Sequence, residues 1–92
     1  VGSEMCIRDR EFILNEGRVR IGRARRNQIT LEPYENLADR QAQIRFRKGE
    51  AVLTNLEPKH PVLVNDRPVT EQRLKYEDVL KIGSAKLFYQ YE

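Results

Sequence analysis

Arg18-Val19-Arg20-Ile21 alternates charged and apolar side chains, the period of two that marks a strand with one dry and one wet face. The alternation stops at Gly22. A polar run from Arg23 to Gln28 follows, and Ile29 and Leu31 then resume the pattern around Thr30. Pro33 to Asn36 reads as a turn, and Leu37-Ala38-Asp39-Arg40-Gln41 leads into a further alternating segment. In that segment Ala42, Ile44 and Phe46 share one face and Gln43, Arg45 and Arg47 the other. The stretch from Gly17 to Phe46 thus predicts pieces of sheet joined by two charged loops.

The same grammar runs on to the C-terminus. Phe12-Ile13-Leu14 and Arg18 to Ile21 flank Asn15-Glu16-Gly17, which predicts a hairpin. Ala42 to Arg47 and Ala51 to Asn55 flank Lys48-Gly49-Glu50, a second hairpin. Val62 to Asn65 precedes a turn at Asp66-Arg67-Pro68, and Asp78 to Ile82 pairs through Gly83-Ser84-Ala85 with Lys86 to Tyr91. No segment carries helical periodicity: between Val69 and Glu77, Leu74 and Tyr76 fit no three-to-four spacing. Short strands between regular turn signals predict an all-β protein, an antiparallel sandwich or a barrel. The expected core is Phe12, Leu14, Val19, Ile21, Ile29, Leu31, Ile44, Phe46, Leu53, Val64, Leu80, Ile82 and Phe88. Residues 1–10 do not follow this grammar. They read as a non-native leader resembling translated adapter sequence, which leaves residues 11–92 as the domain.

Composition narrows the chemistry. Ninety-two residues, 39% of them apolar, suffice for a single small core. A net charge of +3, with 34% charged residues, is mild and fits a solvated sheet face or an anionic ligand. One cysteine, Cys6, and one histidine, His60, argue against a disulfide, a metal centre and a nucleophile–base pair, so neither enzyme activity nor a cofactor is expected. The glycines are isolated, and no phosphate-cradling glycine loop occurs. With no apolar run long enough for a membrane span and no signal-peptide pattern, the expected setting is intracellular, at the cytoplasm.

Taken together and in order, Gly22-Arg23, Ile29 with Leu31, and Leu37 to Ile44 resemble the forkhead-associated (FHA) domain, which reads roughly GR, a short loop, I-x-L, then v-S-x-x-H-a-x-I. The similarity continues through Asn55-Leu56, Val64-Asn65, Leu74, Asp78, Ile82-Gly83 and Phe88, and covers about residues 11 to 91. It implies an antiparallel SMAD/FHA-like sandwich whose first strand is missing from this chain or replaced. It also implies capture of a phosphothreonine peptide by the loops at one end, where an arginine supplies a planar fork of donors to the phosphate.

The implied phosphopeptide-binding positions are Arg23, Ala38, Asp39, Arg40, Lys59, His60 and Asn65, with Gly22 and Gln41 in support. Arg23 keeps the family's arginine, either as a phosphate ligand or in an ion pair with Asp39. Ala38 stands where the family has serine, and Asp39 adds negative charge. Gln41 replaces a bracing histidine and can still donate and accept. Glu57-Pro58-Lys59-His60-Pro61 replaces a run like G-S-T-N-G; its prolines remove two backbone donors. Lys59 and His60 are either a substitute clamp for an anion or exposed residues without a ligand. The resemblance therefore implies a non-catalytic module for a protein or phosphoprotein partner, with phosphothreonine recognition weakened or lost. Alternatives are a phosphate-independent assembly module and a basic β domain for nucleic acid. The last is disfavoured because only Tyr34, among the aromatics, reads as loop-borne and free to stack on bases.

Overall fold

A computed structural model describes residues 3–7, 10–14, 17–32 and 34–91. Eleven strands form among them: β1 (Ser3–Ile7), β2 (Arg10–Leu14), β3 (Gly17–Gly22), β4 (Ile29–Thr30), β5 (Ala42–Arg47), β6 (Glu50–Asn55), β7 (Val62–Val64), β8 (Arg67–Val69), β9 (Glu71–Arg73), β10 (Val79–Ile82) and β11 (Ala85–Tyr91). They build a six-stranded sheet in the order β2-β1-β11-β10-β7-β8 and a five-stranded sheet in the order β4-β3-β5-β6-β9. Every pairing is antiparallel except β3 with β4, where Ile21 stands beside Ile29. The two sheets close on one apolar layer as an antiparallel β-sandwich.

Alternation explains which side chains fill that layer. From the five-stranded sheet come Val19, Ile21, Ala42, Ile44, Ala51 and Leu53; from the other come Val62, Val64, Leu80, Ile82, Ala85, Leu87 and Tyr89. Ile29 on β4, with Leu31, Leu37 and Leu74 from the connections, completes this cluster. Phe46 packs against this cluster partly buried, as does Tyr34, which the sequence had suggested to be a free loop aromatic.

Three expectations are corrected. Phe88 is not core: it is 38% exposed, while its neighbours Leu87 and Tyr89 are buried. Leu87-Phe88-Tyr89 is apolar on both parities, so the facing is settled by register against β10, where Leu87 stands opposite the buried Leu80. Second, the hairpin expected between Phe12-Ile13-Leu14 and Arg18 to Ile21 does not form, because β2 pairs with β1 and β3 pairs with β5 in the other sheet. A turn signal of that length serves equally to carry the chain across a sandwich. Third, the β7–β8 turn is Asn65-Asp66, both at positive φ (52° and 70°), rather than Asp66-Arg67-Pro68. Asn and Asp tolerate that left-handed backbone, and two such residues give the turn whose twist suits a hairpin. The side chains of Phe12 and Leu14 lie outside the described residues.

The first-strand position is taken by β1, drawn from the segment read as a leader; its backbone pairs on one side with β11 and on the other with β2. At the far end from the charged loops, Asn65 and Asp78 lock the β7–β8 turn to β10. Asn65 Nδ2 donates to Asp78 Oδ1 at 2.8 Å, the Val79 amide donates to Asn65 Oδ1 at 3.0 Å, and the Lys75 amide donates to Asp78 Oδ2 at 2.7 Å.

Ile44→Ala and Leu87→Ala are each expected to cost about 2–5 kcal/mol in urea unfolding, and Phe88→Ala less than half as much. Since β1 is the partner of β2, deleting residues 1–10 is expected to remove at least ~1 kcal/mol, a drop of about 4–8 °C in Tm by calorimetry for a domain of this size.

Candidate functional site

Strand direction gathers the charged loops at one end of the sandwich. β3 leads into the loop from Arg23 to Gln28, the antiparallel β5 begins just after Gln41, and β6 ends where Leu56 to Pro61 begins. The turn Gly83-Ser84 closes the same end, because Ile82 pairs with Val62, the first residue after that last loop. Arg23, Ala38, Asp39, Arg40, Lys59 and His60 are thus brought to one end. Asn65 is not: it sits beyond the opposite end of β7, hydrogen-bonded to Asp78 and Val79, as a turn residue.

The first two loops are tied by backbone. The Arg23 amide donates to the Ala38 carbonyl at 3.1 Å and the Ala24 amide to the Asp39 carbonyl at 3.2 Å. Gly22 permits this approach, since a Cβ there would collide with the Asp39 carbonyl. Buried Asn27 completes the tie by donating from Nδ2 to the carbonyls of Asp39 (2.7 Å) and Ala24 (2.8 Å). From the other side the Gly83-Ser84 turn holds the approach to Leu37: the Ser84 amide donates to the Glu35 carbonyl at 2.9 Å, and the Glu35 amide donates back to Ser84 Oγ at 2.9 Å. Gly83 has φ +61°, and a Cβ on it would meet the Glu35 carbonyl.

Gln41 joins these loops to the third. Its side chain is 1% exposed. Oε1 accepts from the Ala38 amide at 2.8 Å, while Nε2 faces Asn55 Oδ1 (2.8 Å), the Glu57 carbonyl (3.0 Å) and the His60 carbonyl (3.1 Å). Two amide hydrogens are shared among three acceptors. Asn55 reinforces the arrangement, with Nδ2 donating to the His60 carbonyl at 3.2 Å and Oδ1 accepting from the Glu57 amide at 3.1 Å. No buried polar side-chain atom among the described residues is left without a partner.

The arrangement leaves a defined set of groups facing out. Arg23 is exposed, and its Nη2 donates to the Glu32 carbonyl at 3.3 Å. The described ion pairs link Arg25 with Glu32, Arg73 with Glu50 and Lys81 with Asp66, so Arg23 and Asp39 are not joined. Arg25, by its hydrogen bond and then its charge, holds the Glu32 carboxyl below the usual carboxylate range. Asp39, Arg40 and Lys59 are exposed and His60 is half-buried. Ala38 has no hydroxyl, and its amide is already given to Gln41. Among the described residues no group of three or more His, Cys, Asp or Glu could hold a metal ion, and no helix is long and apolar enough to cross a membrane.

Asn27 and Glu35 were not singled out in the sequence reading, which named Asn55 only as a motif match and Ser84 only as a turn residue. Asn27 and Asn55 each lie beside a loop in an otherwise ordinary polar setting, so only burial separates them from solvent-facing amides. Replacing Gln41 by Ala strands the Ala38 amide and takes one of two donors from each of the Glu57 and His60 carbonyls, and is expected to destabilise by about 1–3 kcal/mol in urea unfolding. Gln41→Glu is expected to cost as much at neutral pH, since a carboxylate cannot donate to those carbonyls.

Relatives share this fold. Among curated protein sequences none matches the chain. Among solved structures, an FHA domain studied for phosphothreonine-dependent interactions superposes with a TM-score of 0.92 at 27% identity, covering 100% of this chain and 98% of that one. The FhaA FHA domain, solved in complex with the intracellular domain of another protein, gives 0.89 at 28% identity over 96% and 99%. An FHA domain from Chlamydia trachomatis gives 0.91 over 100% and 99%, and at 17% identity speaks for the fold alone. Residues 8–92 match the family described as the inner membrane component of T3SS, cytoplasmic domain. The chain, an FHA-type β-sandwich, therefore belongs to the family of cytoplasmic domains of the T3SS inner membrane component.

Proposed function

We propose that this domain is a non-catalytic protein-interaction module that meets its partner with the loops at the Gln41 end, and that its phosphothreonine recognition is weakened. The observation that carries this reading is Ala38. FHA relatives are phosphopeptide-binding interaction modules, and where the family pattern has a serine this chain offers no hydroxyl and an amide already turned inward to Gln41. The neighbouring amides of Arg23 and Ala24 are spent on the Ala38 and Asp39 carbonyls. An anion arriving at this end meets the side chains of Arg23, Arg40, Lys59 and His60, with the exposed carboxylate of Asp39 among them.

Phosphate-independent assembly is the second reading. It is favoured by the match to an inner membrane component of a secretion system, whose cytoplasmic domain would act at the cytoplasmic face as a fixed joint rather than a switch. Gln41 and Asn27 hold the loops without a ligand, which suits such a joint.

Phosphothreonine and unphosphorylated forms of one peptide library, titrated by calorimetry against the native chain and against Ala38→Ser with His60→Asn and Asp39→Asn, test the reading. A hydrogen bond to a charged group contributes roughly 1.5–3 kcal/mol, so each restored donor is expected to tighten phosphopeptide binding about tenfold or more. Tight phosphate-dependent binding by the native chain, abolished by Lys59→Ala, would overturn it in favour of a substitute clamp. Partner binding indifferent to phosphate in every variant would establish the assembly reading.

A further inference from the structure

The outer face of the five-stranded sheet carries an arrangement that the loops do not use. Arg18 on β3 and Arg45 on β5 are direct cross-strand partners, and Arg20 follows on the same face opposite Gln43. All three are exposed. Like charges directly opposite each other on neighbouring strands lie roughly 5 Å apart at Cβ and destabilise the pair. Among the described residues none of these guanidiniums has an ion pair or a side-chain hydrogen bond. They line a shallow depression of about 380 Å³ together with Gly17 and Phe46, and no described carboxylate lines it.

The edge beside this depression is open. β4 pairs only with Ile21 and Gly22, so the first part of β3 has no strand on that side among the described residues. Backbone direction follows from two bonds: the Arg20 amide donates outward to Gln28 Oε1 at 2.8 Å, and the Ile21 carbonyl accepts inward from the Gln41 amide at 2.9 Å. By the strand's period of two, the Arg18 amide and carbonyl face outward with Arg20. Arginines on an edge strand alone would be read as a guard against edge-to-edge pairing. Arg45 is on the interior strand β5, where no such guard is needed, and it stands directly opposite Arg18 in the register.

We propose that this face takes an extended acidic segment of a protein partner, laid along the open edge of β3 with its carboxylates on Arg18, Arg20 and Arg45. Strand addition to an exposed edge supplies main-chain hydrogen bonds, and guanidinium–carboxylate pairing supplies selectivity. A broad anionic surface fits less well. Glu50 and Glu71 line an adjoining depression that Arg45 shares, on the side away from the β3 edge, where a membrane or a nucleic acid would meet them, and half-buried Phe46 is not free to stack on bases. The site is separate from the loops and does not rest on the reading proposed for them.

An alternating aspartate–glutamate decapeptide, titrated into the isotopically labelled full chain at low salt, tests this. It is expected to bind with an affinity that falls as salt rises, to slow hydrogen exchange at the Arg18 amide, and to bind Arg23→Ala as it binds the native chain. Arg18→Gln with Arg45→Gln relieves a like-charge pair, so its Tm is not expected to fall, yet its affinity is expected to drop at least about tenfold. Any one of four results would overturn the proposal: no binding, equal binding of a single-stranded oligonucleotide or of phosphatidylserine vesicles, binding retained in the double variant, or an Arg18 amide that exchanges as fast with peptide as without.

Discussion

The Gln41 carboxamide faces a backbone amide on one side and two backbone carbonyls and Asn55 on the other, inside a wall that admits almost no water. The loop before β5 and the loop after β6 converge on that one planar group. Each has carbonyls or amides that would be orphaned if it drew back, and a buried unpaired polar group costs more than a hydrogen bond returns. The shape of this loop end is therefore set by an interior side chain. Asn27 and the Gly83-Ser84 turn extend the same logic outward, one tying the first loop to the second, the other supporting the second from the opposite sheet.

This arrangement has a chemical consequence. Backbone amides spent on holding loops together are not available to a phosphate, and at Ala38 no side chain replaces them. The end keeps positive charge in flexible side chains while its rigid donors point inward. On the proposed reading such a surface is shaped for contact more than for chelation of a dianion; the family to which the chain belongs is that of cytoplasmic domains in a secretion apparatus.

Charge is distributed by a different rule on the sheet face. Glu50 and Arg73 pair across it, as do Lys81 and Asp66 on the other sheet, and Arg25 in the first loop pairs with Glu32 beyond β4. Against that background Arg18, Arg20 and Arg45 stand unneutralised around one depression. Exposed ion pairs contribute little to stability, so their absence here costs the fold almost nothing; it leaves local potential directed at solvent.

Alternation of apolar residues, with turn residues between the runs, determined the strands and the sandwich, because a period of two can be satisfied only by sheet and needs no knowledge of neighbours. The ordered motifs from Gly22 to Ile44 likewise determined the FHA type and which loops carry the charge. Tertiary structure decided what a local pattern leaves degenerate. Leu87-Phe88-Tyr89 is apolar on both parities, and only pairing with Leu80 chose the buried one. The segment between β2 and β3 reads as a hairpin turn yet crosses between sheets, because turn chemistry describes a change of direction and not the sheet it leads to. Asn65 lies close to His60 in sequence but at the other end of β7. The partners of Gln41 and the facing of Arg18 on Arg45 join residues far apart along the chain, and a sequence specifies such pairs only through the register of strands that pack together.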